Sequence, residues 1–285
     1  MTTSGLLTTP PWLCLACGVE HPPGPVPPER CPICLDERQY VGPGGQRWAR
    51  LDELVGSGRR ATVEELEPGL HGITVEPGVG IGQRALLVQG EQGNLLWDPV
   101  GYLDDELVEQ VRALGGVAAI ASSHPHMFGA QVAWSSAFSG APVHVNACDA
   151  EWVQRHDAVV RTWRDRLEPV PGIVLHRIGG HFAGSAVAHL PGHDGRGVLL
   201  GGDTVVATPD QRWTSFLRSY PNKVPLSAAV VTAIARRLRD LPADRLYDNL
   251  GGVVAADAGE WVQRSADRYV AWVSGEHDHL TGALD

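Results

Sequence analysis

Four cysteines near the start of the chain form two closely spaced pairs, Cys14 with Cys17 and Cys31 with Cys34. The spacing is C-x2-C-x13-C-x2-C, and four thiolates supplied from two short turns can surround a soft divalent ion as a tetrahedron. Without a secretory signal, such pairs indicate a metal rather than disulfides. We therefore predict a four-cysteine metal site that holds zinc, with iron as the alternative.

The segments that carry these cysteines, 12–18 and 28–34, resemble a zinc ribbon and the short rubredoxin-like module of rubrerythrins. The first implies a structural zinc that stabilises a proline-rich segment with no core of its own. The second implies a redox-active iron. We favour the structural zinc.

Three histidines and one aspartate form a second candidate site. His124 and His126 directly follow the apolar run 117–121, which predicts a buried strand, so two imidazoles can point at one ion from a strand end. His181 lies in Gly-Gly-His-Phe-Ala-Gly-Ser, and Asp203 ends Leu-Leu-Gly-Gly-Asp; each again follows or precedes a predicted strand.

This ordered set resembles the metallo-β-lactamase superfamily, in which a strand leads to HxH, then a GHxxGS turn, then an apolar strand ending in GD. The resemblance spans about residues 69–272 and implies an α/β fold, an αββα sandwich preceded here by a small metal knuckle. It implies that His124, His126 and His181 bind one zinc, iron or manganese ion. It also implies that Asp203 is the family's bridging carboxylate, and that Asp98 braces the metal loop.

The chain departs from the family pattern at two places. The family motif HxHxDH continues with aspartate and histidine, where this chain has Phe128 and Gly129. The family's final histidine has no counterpart in 246–257. We therefore predict one metal at the histidine site rather than two.

The remaining ligands leave three functions open. If Asp203 orients or deprotonates a zinc-bound water, the protein is a hydrolase of a small ester, lactone, thioester or amide-like compound. If Asp203 is a ligand of five- or six-coordinate iron or manganese, an oxidoreductase or oxygenase follows. A non-catalytic, metal-stabilised binding protein is the third reading. We favour the hydrolase, with Asp203 as its catalytic residue.

The loop that follows Asp203 is expected to lie beside the site. Its polar side chains Arg218, Tyr220 and Asn222 are our candidates for orienting a substrate carboxylate or carbonyl.

The composition shift after the proline-rich start predicts two units, a four-cysteine knuckle over 1–45 and a metallo-β-lactamase-like domain over 46–285. Residues 63–66 are interpreted as helix-forming, and Cys148 as a buried, inert thiol.

Composition limits the partners. The formal charge of -10 and the scarcity of lysine argue against nucleic-acid binding. The chain has no apolar run of membrane-spanning length and no signal-peptide pattern at its start, so we expect a cytoplasmic protein without membrane contact. A small-molecule substrate is the expected partner, and a homodimer is left open.

Overall fold

The computed structural model describes residues 10–283, so residues 1–9 of the predicted knuckle and 284–285 of the predicted main domain lie outside the described residues. The knuckle contains a small antiparallel sheet with the order β2-β1-β3. Its strands are β1 (Trp12–Cys14), β2 (Glu20–His21) and β3 (Trp48–Arg50). Because β3 pairs with β1 but lies beyond residue 45, the knuckle sheet crosses the predicted boundary. The division into two units stays a prediction.

The first large sheet follows directly and has seven strands in the order β10-β9-β8-β7-β6-β5-β4. They are β4 (Arg60–Glu67), β5 (Leu70–Glu76), β6 (Ala85–Val88), β7 (Leu95–Trp97), β8 (Ala119–Ala121), β9 (Val143–Asn146) and β10 (Val160–Trp163). β4 to β7 are antiparallel neighbours, and β7 to β10 are parallel.

From residue 166 to the end of the described residues, the chain supplies ten strands. They are β11 (Arg166–Val170), β12 (Ile173–Arg177), β13 (Ala186–Leu190), β14 (Val198–Leu200), β15 (Val206–Ala207), β16 (Thr214–Ser215), β17 (Leu217–Ser219), β18 (Val224–Pro225), β19 (Arg245–Tyr247) and β20 (Val253–Val254). Six of them form a sheet in the order β11-β12-β13-β14-β19-β20, and the other four form two short ribbons.

Alternate residues of the central strands enter different cores. In β6, Ala85 and Leu87 pack on the knuckle side of the first sheet, whereas Leu86 and Val88 pack between the two sheets. In β14, Leu199 likewise faces the opposite side from its two neighbours. Because side chains alternate along a strand, a strand buried on both faces is apolar throughout. This explains the short, uninterrupted apolar runs of the sequence.

Helices cover both outer faces. They are α1 (Pro32–Leu35), α2 (Leu51–Gly56), α3 (Asp105–Ala113), α4 (Gln131–Ala137), α5 (Ala228–Arg239) and α6 (Ala258–Val273), with short 3-10 helices at Pro125–Met127, Ala147–Trp152 and Asp278–Leu280. The knuckle, α3 and α4 share a core with the first sheet, and α5 and α6 share one with the second. The predicted αββα sandwich with an N-terminal knuckle is confirmed.

Two local predictions are wrong. Residues 63–66 lie within β4, because pairing with β5 along its length overrides their helix propensity. Cys148 is exposed, because it lies in the surface 3-10 helix Ala147–Trp152 rather than in the buried strand before it. Across residues 10–283, we find no helix with the length and apolarity needed to cross a membrane.

Candidate functional site

The histidine cluster lies at one edge of the stacked sheets. His124 and His126 follow the end of β8, and Asp203 follows the end of β14. His181 lies in the loop between β12 and β13. Because β13 runs antiparallel to β14, this loop reaches the same edge as Asp203. The topology thus assembles residues that are far apart in the chain.

The facing atoms of this cluster have the spacing of ligands around one ion. One atom from each residue lies within 4.8 Å of the others, and all the side chains are buried: His124, His126, His181 and Asp203. His181 Nε2 is 3.3 Å from His126 Nδ1. Asp203 Oδ2 is 3.5 Å from His124 Nε2 and 3.6 Å from His181 Nε2. Zinc–nitrogen bonds of about 2.0–2.1 Å separate tetrahedral ligand atoms by roughly 3.3–3.4 Å.

Three polar atoms of the cluster lack a protein partner. His124 Nε2, His126 Nε2 and Asp203 Oδ1 are buried and make no hydrogen bond to any residue between 10 and 283. A buried polar atom left unpaired costs about 1–3 kcal/mol. A cation would satisfy the lone pair of His124 Nε2, and Asp203 presents Oδ2 to the same point. The residues therefore fit a divalent metal.

Neighbouring groups orient two of the imidazoles. The Ser123 hydroxyl donates to Asp98 Oδ2 at 3.0 Å, and its oxygen lies 2.9 Å from His124 Nδ1. Because the hydroxyl proton is already donated, His124 Nδ1–H donates to the Ser123 oxygen, which leaves the Nε2 lone pair facing the cluster. His181 Nδ1 lies 3.1 Å from the carbonyl of Leu217, which can only accept. His181 Nε2 is then also free to bind a metal.

Burial sets the charge of the cluster. It lowers the pKa of His124 and of His126 well below the ordinary value, and that of His181 to about 4, so the imidazoles are neutral and able to bind metal at neutral pH. It also raises the pKa of Asp203 to about 7 and that of Asp98 to about 8. A divalent ion would supply the positive charge that favours both carboxylates.

Residues 128 and 129, where the resemblance would place two further metal ligands, contact the knuckle. Gly129 has φ +48°, and a Cβ there would lie 1.8 Å from the carbonyl oxygen of Pro99. Its own carbonyl accepts the N–H of Glu20 in β2 at 2.9 Å. Phe128 is buried in the core that the knuckle shares with the first sheet. Residues 128–129 therefore pack against the knuckle.

Asn249 is a site residue that the sequence analysis missed. It follows β19, which pairs in parallel with β14, and its buried amide lowers the pKa of the Asp98 and Asp203 carboxyls beside it. This is where the resemblance would place the final histidine. The available signal was its position just after the apolar end of β19, but an asparagine there has no motif of its own.

A cavity of about 350 Å³ opens onto the cluster. Its lining combines the metal loops with the knuckle: Ala16, Gln39, Tyr40, Gly80, Ile81, His126, Asp203, Tyr220, Pro221 and Leu250. Ala16 lies between two of the cysteines, and Gln39 and Tyr40 follow the last of them. The cysteine knuckle is thus one wall of the pocket.

The three predicted substrate-binding residues have different environments. Tyr220 lines the pocket; its hydroxyl donates to the Ser215 carbonyl at 2.9 Å and lies 3.3 Å from the carbonyl oxygen of Asp203. Arg218 pairs with Glu37 of the knuckle at 2.8 Å. Asn222 donates to backbone carbonyls in the same knuckle segment. Arg218 and Asn222 therefore bind the loop that carries them to the knuckle. Their role in substrate binding stays a prediction.

The four cysteines come together as the spacing predicts. The thiols of Cys14, Cys17, Cys31 and Cys34 are all buried. The sulfurs of Cys14 and Cys34 are 3.5 Å apart, and those of Cys17 and Cys31 are 3.8 Å apart. Zinc–sulfur bonds of about 2.3 Å place tetrahedral sulfurs roughly 3.8 Å apart. Gln46 Nε2 donates to Cys14 Sγ at 3.0 Å, as expected for a thiolate ligand.

Comparison with known sequences finds one extensive similarity. The Bacillus subtilis (strain 168) protein described as uncharacterized protein YmaE is 42% identical over 273 residues, which cover 95% of this chain and 99% of that protein. No family model matches the chain.

Solved structures of metallo-β-lactamases share the fold. The mono-zinc form of FIM-1 from Pseudomonas aeruginosa is 17% identical, with a TM-score of 0.53 over 74% of this chain and 96% of that one. DIM-1 is 16% identical, with a TM-score of 0.54 over 73% and 98%. A B3 enzyme with an active-site glutamic acid is 18% identical, with a TM-score of 0.52 over 76% and 91%.

Proposed function

Since the chain belongs to the same family as Bacillus subtilis YmaE and has the fold of the metallo-β-lactamase superfamily, we propose that it is a mononuclear metal-dependent hydrolase. The observation that carries this proposal is the buried cluster of three imidazoles and one carboxylate at the wall of an open cavity, with three of its polar atoms unpaired among the described residues.

The roles follow from the contacts. His124, His126 and His181 would hold one zinc ion, two of them with their tautomers set by Ser123 and Leu217. When bound, a zinc ion acidifies a water to a pKa near 7 and polarises a substrate carbonyl. Asp203 faces the same point through Oδ2 and retains Oδ1 as a proton acceptor.

The pocket lining supports a neutral substrate. None of its ten residues, all within the described part of the chain, is lysine or arginine. The nearby cations Arg38 and Arg218 are already paired with Asp36 and Glu37. We therefore propose a small uncharged ester, lactone, thioester or amide-like compound, because the pocket offers no lysine or arginine to pair with a substrate carboxylate or phosphate.

We propose that the four cysteines bind a structural zinc ion. Their sulfurs are fully enclosed, and the knuckle they hold contributes a pocket wall. We expect two zinc ions per chain and a protein without visible colour. A ferric-thiolate absorption would support the oxidoreductase reading instead.

The function is tested by assaying the zinc-loaded protein against neutral aryl acetates, lactones and thioesters. His126→Ala should lose one zinc, retain the other and reduce hydrolysis to background. His193→Ala is the matched control, because this half-exposed histidine lies at a turn beside Glu67 and outside the cluster. Absence of hydrolysis with both sites loaded, or full zinc retention in His126→Ala, would refute the assignment.

A further inference from the structure

One arginine connects the cysteine knuckle to a histidine of the cluster. Arg38 lies four residues after Cys34, and its side chain is only 8% exposed. Its Nη1 donates to the carbonyl oxygen of His181 at 3.2 Å. Its guanidinium lies over the ring of Phe182, with Cζ 3.5 Å from the ring centre, and Asp36 neutralises it. Such a planar cation can donate and stack at the same time.

The segment 217–222, which begins with β17, contacts the same histidine at its ring, and Arg218 Nη1 also donates to the His181 carbonyl at 3.4 Å. The Leu217 carbonyl accepts a hydrogen bond from His181 Nδ1–H. Ser219 Oγ donates to the Arg38 carbonyl at 3.0 Å. Asn222 Nδ2 donates to the carbonyls of Glu37 and Gln39 at 2.9 and 3.2 Å. The knuckle segment 36–40 and the segment 217–222 therefore form a clamp around His181.

The cysteine site anchors one half of this clamp. Segment 36–40 begins directly after α1, whose Leu35 N–H donates to Cys31 O at 3.2 Å. The surrounding knuckle is proline-rich and has only short strands, so a metal in the cysteine site would supply much of its order. Loss of that order would free Arg38.

We propose that Arg38 is a positioning residue for His181, and that occupancy of the cysteine site thereby sets the metal affinity of the histidine site. This proposal rests on the histidine ligand set of the proposed function, but it does not require catalysis. Loss of a residue that orients a metal ligand without touching the metal typically lowers the metal affinity about 10–100-fold.

The first test measures zinc affinity of the full chain by competition with a chromophoric chelator. His126→Ala supplies the curve of the cysteine site alone. Asp36→Asn/Arg38→Met, which removes the guanidinium without leaving Asp36 as an unpaired carboxylate, should weaken the histidine site about 10–100-fold. Arg38→Lys keeps the charge but loses the planar stack, so its histidine-site zinc affinity should lie between those of the double variant and the wild type.

Arg50→Met is the matched control. Arg50 also stacks on a knuckle aromatic, Trp12 at 4.1 Å, and donates to two carbonyls, those of Pro10 and Gly24, but it does not touch His181. In Arg50→Met, the zinc affinity of the histidine site should equal that of the wild type. An equal loss in Arg50→Met, or an unchanged affinity in a folded Arg38 variant, would overturn the proposal.

Cys34→Ser tests the coupling itself. With circular dichroism confirming a folded main domain, this variant should bind zinc at the histidine site as weakly as the Arg38 variant does. Wild-type affinity in that folded variant would refute the coupling. If Cys34→Ser does not fold, chelator titration of the Arg38 variants still decides the positioning role. Failure to hydrolyse any ester would refute the proposed function and leave these affinities as an independent result.

Discussion

Asp98 accepts two hydrogen bonds from Ser123, one from the backbone N–H at 2.6 Å and one from the hydroxyl at 3.0 Å. Asp98 follows β7 and Ser123 follows β8, so the parallel pairing of these strands brings the two together. The contact ties the start of the histidine loop to the sheet. It also determines which nitrogen of His124 faces the cluster.

Replacing Ser123 should therefore weaken metal binding. In Ser123→Ala, His124 loses its Nδ1 partner, and we expect the zinc affinity of the histidine site to fall about 10–100-fold. Chelator competition measures this. Ser122→Ala is the control, because the Ser122 hydroxyl is equally buried but has no partner among the described residues. Equal affinities in the two variants would contradict the proposed role of Ser123.

Restoring a side chain at residue 129 should destabilise the protein and create no second site. A Cβ at Gly129 would overlap the carbonyl of Pro99, so Gly129→Ala should cost about 3 kcal/mol or more in unfolding free energy. Gly140→Ala should cost only about 1–2 kcal/mol, because Gly140 has a similar left-handed backbone but open space around it. Denaturant titration compares them. A stable Gly129→His variant that binds an additional zinc would refute this account.

The stability difference between Asp149→Asn and the wild type should depend on pH. Burial raises the pKa of Asp149 to about 6, above the roughly 3.9 of an unfolded chain. As pH rises through this interval, the unfolded state ionises first, so wild-type stability falls relative to the variant.

This advantage of Asp149→Asn should grow by roughly 3 kcal/mol between about pH 3 and pH 7 and then stay level. The asparagine can still accept the Gly184 N–H that Asp149 Oδ1 accepts at 2.8 Å. Urea unfolding across this range measures the difference, and a pH-independent value would show that the buried carboxyl does not titrate as stated.

A cation at the pocket rim should change substrate preference. Leu250 lines the pocket and is 49% exposed, so Leu250→Lys can be introduced without disturbing the core. An added charge near the surface is worth about 1 kcal/mol, so kcat/KM for a carboxylate-bearing ester should rise about fivefold relative to its neutral analogue. Val273→Lys adds the same charge to an exposed position at the end of α6 and should leave this ratio unchanged. An unchanged ratio in Leu250→Lys would argue against a charge-selective pocket.

Short-range patterns predicted the parts of the sites that are local in the chain. The cysteine pairs each sit within one turn, and His124 and His126 follow one strand, so their spacing alone indicated shared chemistry. Residues 63–66 were misread because strand pairing is a long-range effect that overrides local propensity. Nothing in the sequence indicated that Arg218 and Asn222 contact the knuckle, because their partners belong to a segment about 180 residues earlier.

The sequence by itself indicated the four-cysteine set, because that set depends on residue type and on close spacing along the chain. The αββα layering, the histidine set and the absence of two further ligands followed from the resemblance of its motifs to the metallo-β-lactamase superfamily. Only the tertiary structure decided that the knuckle packs on Gly129, walls the pocket and holds His181 through Arg38. Those relationships depend on how separate surfaces fit together. Hydrogen-bond geometry and close packing across such surfaces leave no periodic pattern in either segment.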